Sequence, residues 1–318
     1  VVLLKAEETH EISDHYYCWS CSHRSDSFFW SSQKKPTTSQ QETTHSNTTQ
    51  VEERTASSLS PTEDIVEEAY SVAYDDKNLV GTITAPHDYQ TKQLPTIVIS
   101  HGFNNTHDMY RNYMQALAKQ GFLVYGFDFY GGSRRSKSGG QDMLQMSIQT
   151  ELTDLSQVMN KLRSESFVNP KQMSLIGVSQ GGVVASLYAS TYPDHVHKLA
   201  LIFPAFVLFD DVKETYQELG SPAFEDLPDS LTHHGFTLGK IYLIDALDGD
   251  APTIQEKITA PTLIVHGTND TIVPYRYALE ASQTIPNSQL VTVEGGGHWI
   301  DETFSQTALP ALQEFLKD

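Results

Sequence analysis

Apolar positions along the chain change character once, near residue 60. Before that point they show no period. From Ser31 the stretch SSQKKPTTSQQETTHSNTTQ is rich in Ser, Thr and Gln, with too little apolar surface to offset the entropy of ordering it. Residues 1–60 are therefore expected to be a disordered tail or linker, and 61–318 a single folded domain. From Ile65 onward short apolar runs alternate with amphipathic ones. Ile65 to Ala73 and Leu79 to Ala85, separated by the turn-forming Asp75-Asp76-Lys77-Asn78, read as an antiparallel hairpin. Leu94 to Ser100, Phe122 to Asp128, Met173 to Val178, Leu199 to Phe203, Pro261 to Gly267 and residues 289–293 are of strand length and mostly apolar, as strands buried on both faces are. Helical spacing predicts helices over 107–120, with Met109, Tyr113, Ala116 and Leu117 on one side, and over 147–165, 180–191, 275–284 and 304–317. Strands alternating with helices predict a mostly parallel α/β sheet with helices on both faces.

The alternation fails once, between about 205 and 255, where aromatic and acidic residues mix without a period. An insertion of that length between two core strands is expected to form a cap subdomain over the ends of the strands.

The stretch MSLIGVSQGGVVASL, residues 173–187, has the sequence form of a strand, a sharp turn and a helix. In Gly177-Val178-Ser179-Gln180-Gly181 the serine is the candidate nucleophile, because glycines around it let the backbone bend and the helix pack close. A lone G-x-S-x-G is weakly specific, so partners must carry the claim. A serine hydroxyl needs a base within hydrogen-bond reach, itself oriented by a carboxylate. Asp270 follows the PTLIV strand directly, in His266-Gly267-Thr268-Asn269-Asp270, and His298 follows the LVTV strand on the glycine loop Glu294-Gly295-Gly296-Gly297. Both positions fall at the C-terminal ends of expected strands, where open α/β sheets place their ligands. An oxyanion hole would draw one backbone amide from Gln180 and a second from Phe103, in His101-Gly102-Phe103. His266 is expected to pack behind the site.

The formal net charge of −19 and pI near 5.0 exclude nucleic acid and anionic membrane surfaces as expected partners. No apolar run is long enough to span a bilayer, and the opening VVLLKAEETH lacks the layout of a signal peptide. The Ser/Thr-rich front end resembles linkers that tether exported domains, so a secreted or cell-surface location is one expectation and a cytoplasmic one the alternative. Cys18 and Cys21, with His10, His15 and His23 nearby, are ligand types that zinc accepts, yet a single C-x-x-C in such a tract is expected to bind none. No metal and no organic cofactor are expected. The expected partner is a small ester, and homodimerisation is left open.

Taken together, residues 65–318 resemble the α/β-hydrolase superfamily, and within it the cinnamoyl (feruloyl) esterases of lactic acid and rumen bacteria. The narrower resemblance rests on His101-Gly102-Phe103, Phe127-Asp128-Phe129-Tyr130-Gly131-Gly132-Ser133 with Ser136-Lys137-Ser138, and Ser179-Gln180-Gly181-Gly182. Pro204-Ala205, Thr237-Leu238-Gly239 and His266-Gly267-Thr268-Asn269-Asp270 extend it. It implies a serine carboxylesterase acting on hydroxycinnamate esters through an acyl-enzyme, with a cap that grips the aromatic ring. By position it also implies that Asp211 and Tyr242 meet phenolic oxygens. The same order of Ser, Asp and His serves serine peptidases of the oligopeptidase type, and an inactive hydrolase fold used as a surface module is a third reading.

Overall fold

The computed structural model describes residues 59–317, so the expected tail, with Cys18 and Cys21, lies outside the described residues. In chain order the elements are β1 (Ile65–Tyr74), β2 (Lys77–Pro86), β3 (Leu94–Ser100), α1 (Arg111–Ala118), β4 (Leu123–Phe127), α2 (Ile148–Arg163), β5 (Val168–Val178), α3 (Gln180–Thr191) and β6 (Leu199–Ile202). There follow α4 (Leu208–Glu218), β7 (Ser230–His233), β8 (Phe236–Gly239), α5 (Lys240–Leu247), α6 (Ala251–Gln255), β9 (Thr262–Gly267), α7 (Arg276–Thr284), β10 (Ser288–Val293) and α8 (Glu302–Leu316).

Eight strands form one sheet in the order β1-β2-β4-β3-β5-β6-β9-β10. β1 pairs antiparallel with β2 and β2 with β4, and every later pairing is parallel. The expected mostly parallel sheet is therefore present. Strand residues alternate between two buried layers, as a period of two requires. Val98, Leu175, Leu199, Leu201 and Ile264 face one layer, with Leu155 and Val158 of α2, Val183 and Val184 of α3 and Ala278 of α7. Ile97, Ile99, Ile176, Ala200, Ile202, Leu263 and Val265 face the other, with Tyr113, Met114 and Leu117 of α1 and Phe304, Ala308 and Leu312 of α8.

Two boundaries differ from expectation for physical reasons. Residues 107–110 form a 3-10 turn before α1, which leaves Met109 55% exposed; the buried face of α1 is Tyr113, Met114, Leu117 and Ala118. The folded unit already takes in Leu59, which packs against the second layer, and the Thr62 amide donates to the Lys119 carbonyl. No helix among the described residues is long and apolar enough to cross a membrane.

Between β6 and β9 the chain leaves the sheet and builds α4, the antiparallel hairpin β7–β8, α5 and α6. This insertion has no separate core. Phe206, Leu208, Phe209, Val212, Leu238 and Leu243 are buried in the same layer as α2 and α3.

α8 closes the second layer through Phe304, which is fully buried with its ring 5.2 Å from that of Phe203. Phe304→Ala should therefore lower the unfolding free energy by about 3–5 kcal/mol, read by urea denaturation, whereas alanine at the exposed Thr303 should change it by less than about 0.5 kcal/mol.

Candidate active site

Three loops at the C-terminal ends of parallel strands converge on Ser179. The serine is the single residue between β5 and α3, with φ 52° and ψ −121°, a conformation that side-chain-bearing residues avoid. It is pinned from three directions. Its amide donates to the Ile202 carbonyl at 3.0 Å, and its carbonyl accepts from the Gly182 amide at 2.8 Å and the Ala205 amide at 3.0 Å. α3 leaves so close to the end of β3 that a Cβ at Gly181 would overlap the carbonyl oxygens of Ser100 and His101, which is why glycine stands there.

His298 reaches back from the loop after β10. Ser179 Oγ lies 2.9 Å from His298 Nε2, and His298 Nδ1 lies 2.7 Å from Asp270 Oδ2. Close approach again depends on a glycine: a Cβ at Gly267 would strike the backbone of Gly296, so the His298 loop could not lie against the end of β9. The ring of Phe203, centred 4.4 Å away, backs the imidazole.

Asp270 is buried, and its Oδ1 accepts from the amides of Ile272 at 2.9 Å and Val273 at 2.8 Å. Its Oδ2 also lies 3.2 Å from Nε2 of the fully buried His266, whose Nε2 is 2.9 Å from the Val273 carbonyl. Burial raises the carboxyl, but the bonds from His266 and His298 outweigh it and hold Asp270 well below the usual carboxylate range. An ionised carboxylate only accepts, so His298 Nδ1 must donate. The lone pair of Nε2 is thereby turned toward the Ser179 hydroxyl.

The backbone at 102–103 sits beside the serine, since a Cβ at Gly102 would lie 3.1 Å from Ser179 Cβ and 3.7 Å from its Oγ. Buried His101 orients this peptide. Its Nε2 accepts from the Phe129 amide at 3.0 Å, so Nδ1 donates to the Gly102 carbonyl at 2.8 Å, and burial lowers its pKa to about 4, keeping it neutral. Because carbonyl and amide of a trans peptide point in opposite directions, the Phe103 N–H faces away from His101. Gln180 opens α3, so its amide has no acceptor within the helix.

Sequence reading missed the support beneath Gln180. Its side-chain Nε2 donates to Glu151 Oε2 at 2.9 Å, and Tyr242 Oη donates to its Oε1 at 3.0 Å. Glu151, Gln180 and Tyr242 are all buried. Glu151 falls in register with Leu155, Val158 and Leu162 on the apolar face of α2, and that spacing was the available signal.

Of the two residues assigned to phenolic oxygens, Tyr242 is 4% exposed with its hydroxyl engaged by Gln180, and Asp211 Oδ2 lies 3.4 Å from His234 Nε2. The structure brings Ser179, His298 and Asp270 together, with Phe103 and Gln180 beside them, and leaves Asp211 in a different group of side chains.

Residues 91–235 match the family model described as serine aminopeptidase, S33, and residues 247–318 that described as TAP-like protein. The chain is 26% identical over 243 residues to the monoacylglycerol lipase ABHD6 of Homo sapiens, covering 64% of this chain and 70% of that one. It is 28% identical over 237 residues to the AB hydrolase superfamily protein YisY of Bacillus subtilis, covering 64% of this chain and 84% of that one. Among solved structures, Est1E from Butyrivibrio proteoclasticus is similar with a TM-score of 0.66 and 25% identity, over 78% of this chain and 97% of that one. The same protein with ferulic acid bound gives a TM-score of 0.66 at 26% identity, over 78% and 96%.

Burial pushes the Glu151 carboxyl up to about 8, so the fold favours its protonated form. Its contribution to stability is complete below the unfolded pKa near 4.5 and declines as pH rises through about 8, because the unfolded chain ionises first. Glu151→Gln keeps an acceptor for Gln180 and removes the ionisation. Relative to wild type it should gain stability between about pH 5 and 8, by on the order of a few kcal/mol, measured by denaturant unfolding at pH 5, 6.5 and 8.

Proposed function

Because the chain belongs to the α/β-hydrolase superfamily, we propose that it is a serine carboxylesterase in which Ser179, His298 and Asp270 act together. The observation that carries this reading is the continuous hydrogen-bonded path from the Ser179 hydroxyl through His298 to Asp270. Ser179 Oγ attacks the ester carbonyl while His298 Nε2 takes its proton. The amides of Phe103 and Gln180 hold the oxyanion of the tetrahedral intermediate. His298 returns the proton to the departing alcohol, and water then repeats the sequence on the acyl-enzyme. Asp270 stays ionised and fixes the imidazole orientation.

Esters of hydroxycinnamic acids are the proposed substrates. Support comes from the aromatic surroundings of the oxyanion loop: the ring of Phe103 lies 5.0 Å from Phe236 and 6.2 Å from Tyr242, both contributed by the insertion. The Arg134 guanidinium covers Phe236 at 4.6 Å. The similarity to a protein solved with ferulic acid points the same way. In this reading the insertion serves as the cap and Tyr242 contributes a ring wall, its hydroxyl offering a phenol only a lone pair. Similarity to proteins named monoacylglycerol lipases favours a second reading, in which the alcohol is glycerol and the acyl chain aliphatic.

Ser179→Ala should abolish hydrolysis of p-nitrophenyl acetate, by on the order of 10⁵-fold or more, with unchanged far-UV circular dichroism; wild-type turnover in that variant would remove the proposal. Asp270→Asn should lower kcat by about 10⁴-fold. On one preparation, methyl ferulate, methyl caffeate, a monoacylglycerol, short p-nitrophenyl esters and a peptide anilide separate the readings. The highest kcat/KM is expected for the hydroxycinnamates, and preferred turnover of the anilide would overturn the ester assignment.

A further inference from the structure

The β7–β8 hairpin has a two-residue connection, His234-Gly235, with both residues at positive φ, 48° and 79°. That geometry normally selects Asn-Gly, and a histidine pays a steric penalty there. The conformation has a consequence for the neighbouring residue. Successive side chains of a strand point to opposite faces, whereas the left-handed turn at His234 brings its ring to 4.1 Å, centroid to centroid, from that of His233. α4 adds Asp211, whose Oδ2 lies 3.4 Å from His234 Nε2. One ligand atom from each of the three residues lies within 4.8 Å of the others.

His233 supplies an independent sign that this cluster faces a ligand. It is 8% exposed, its ring rests 5.3 Å from that of Tyr242, and among the described residues neither ring nitrogen has a hydrogen-bond partner. With no protein partner, its ring nitrogens remain accessible to a ligand.

We propose that Asp211, His233 and His234 form a binding site for a divalent transition metal of the zinc class, with a fourth position open to solvent. Two imidazoles and one carboxylate suit zinc, cobalt or nickel and not calcium or magnesium, which take oxygen ligands. Tetrahedral coordination at about 2.0–2.2 Å sets ligand atoms about 3.4 Å apart, the separation already present between His234 and Asp211. The two edges to His233, each at most 4.8 Å, close by side-chain rotations of on the order of 1 Å. Bound there, the metal would tie the tip of the hairpin to α4, and through Phe236 brace the residues that line the oxyanion loop. This site stands apart from the hydrolytic reading, and its test reads metal and not turnover.

The test titrates chelator-stripped full-length protein with Co²⁺ and Zn²⁺, following Co²⁺ absorption, bound equivalents and thermal unfolding. His234→Asn is the informative variant, since asparagine suits the turn and is not a zinc ligand; Asp211→Asn is the second. Because Cys18 and Cys21 could also take metal, a Cys18→Ser/Cys21→Ser variant runs alongside. The expected result is one equivalent without a thiolate charge-transfer band, raising Tm by mass action, kept in the cysteine variant and weakened by about 100-fold or more in His234→Asn and Asp211→Asn. A Tm of His234→Asn in chelator at or above that of wild type would show that its fold is intact. Equal binding by wild type and His234→Asn, or loss of all binding with the cysteines, would overturn the proposal.

Discussion

The strained backbone of Ser179 is the constraint to which the neighbouring elements answer. Holding a residue with a Cβ in that conformation costs about 1–3 kcal/mol, and it persists only where the surroundings over-determine it. Here the surroundings are the end of β6 through Ile202, the first turn of α3 through Gly182, and the first residues of the insertion through Ala205. Strand order, the close departure of α3 and the exit point of the insertion thus meet on the two peptide groups of one residue. A larger residue at Gly181 would push α3 off the end of β3 and release the turn from one side.

Electrostatics at the site follow from two carboxyl groups placed in opposite environments. Asp270 is buried but surrounded by donors from Ile272, Val273, His266 and His298, and stays ionised. Glu151 is buried with a single amide donor from Gln180 and is held neutral to about pH 8. One fixes the direction of a proton on His298, and the other fixes the side chain of Gln180, the residue that follows Ser179. Local donor count decides the difference, since both carboxyl groups are almost fully out of solvent.

Much of this was legible in the chain because the central strands are buried on both faces and read as uninterrupted apolar runs. Ser179, Asp270 and His298 could be located because each follows such a run, and the parallel topology then sends all of them to one rim of the sheet. Where reading failed, local pattern and tertiary partner disagreed. Polar Asn169, Lys171 and Gln172 hid the first half of β5, whose pairing with β3 begins at Val168. Met109 fitted helical spacing but precedes the helix. Glu151 was not singled out, and Tyr242 was expected to meet a phenolic oxygen, because neither discloses in sequence that Gln180 lies between them. His234 gave no sign that it would take a left-handed turn.

The insertion is tied to this arrangement through both apolar and polar contacts. Its apolar residues share a layer with α2 and α3, so lifting it would expose Phe206, Phe209 and Leu243 together with the helices beneath. Its polar anchor is as demanding. Tyr242 reaches Gln180 and Gln180 reaches Glu151, all three out of solvent, and breaking the first bond would strand two buried polar groups. Displacement of α5 is therefore felt at the side chain whose own amide opens α3. In the short hairpin β7–β8 every residue outside Leu231, His233, Leu238 and Gly239 is half-buried or exposed, its tip at His234 and Gly235 included. For the proposed esterase, movement that admits substrate should be sought at Phe236 and the exposed tip of the hairpin that carries it, with α5 remaining seated on Gln180.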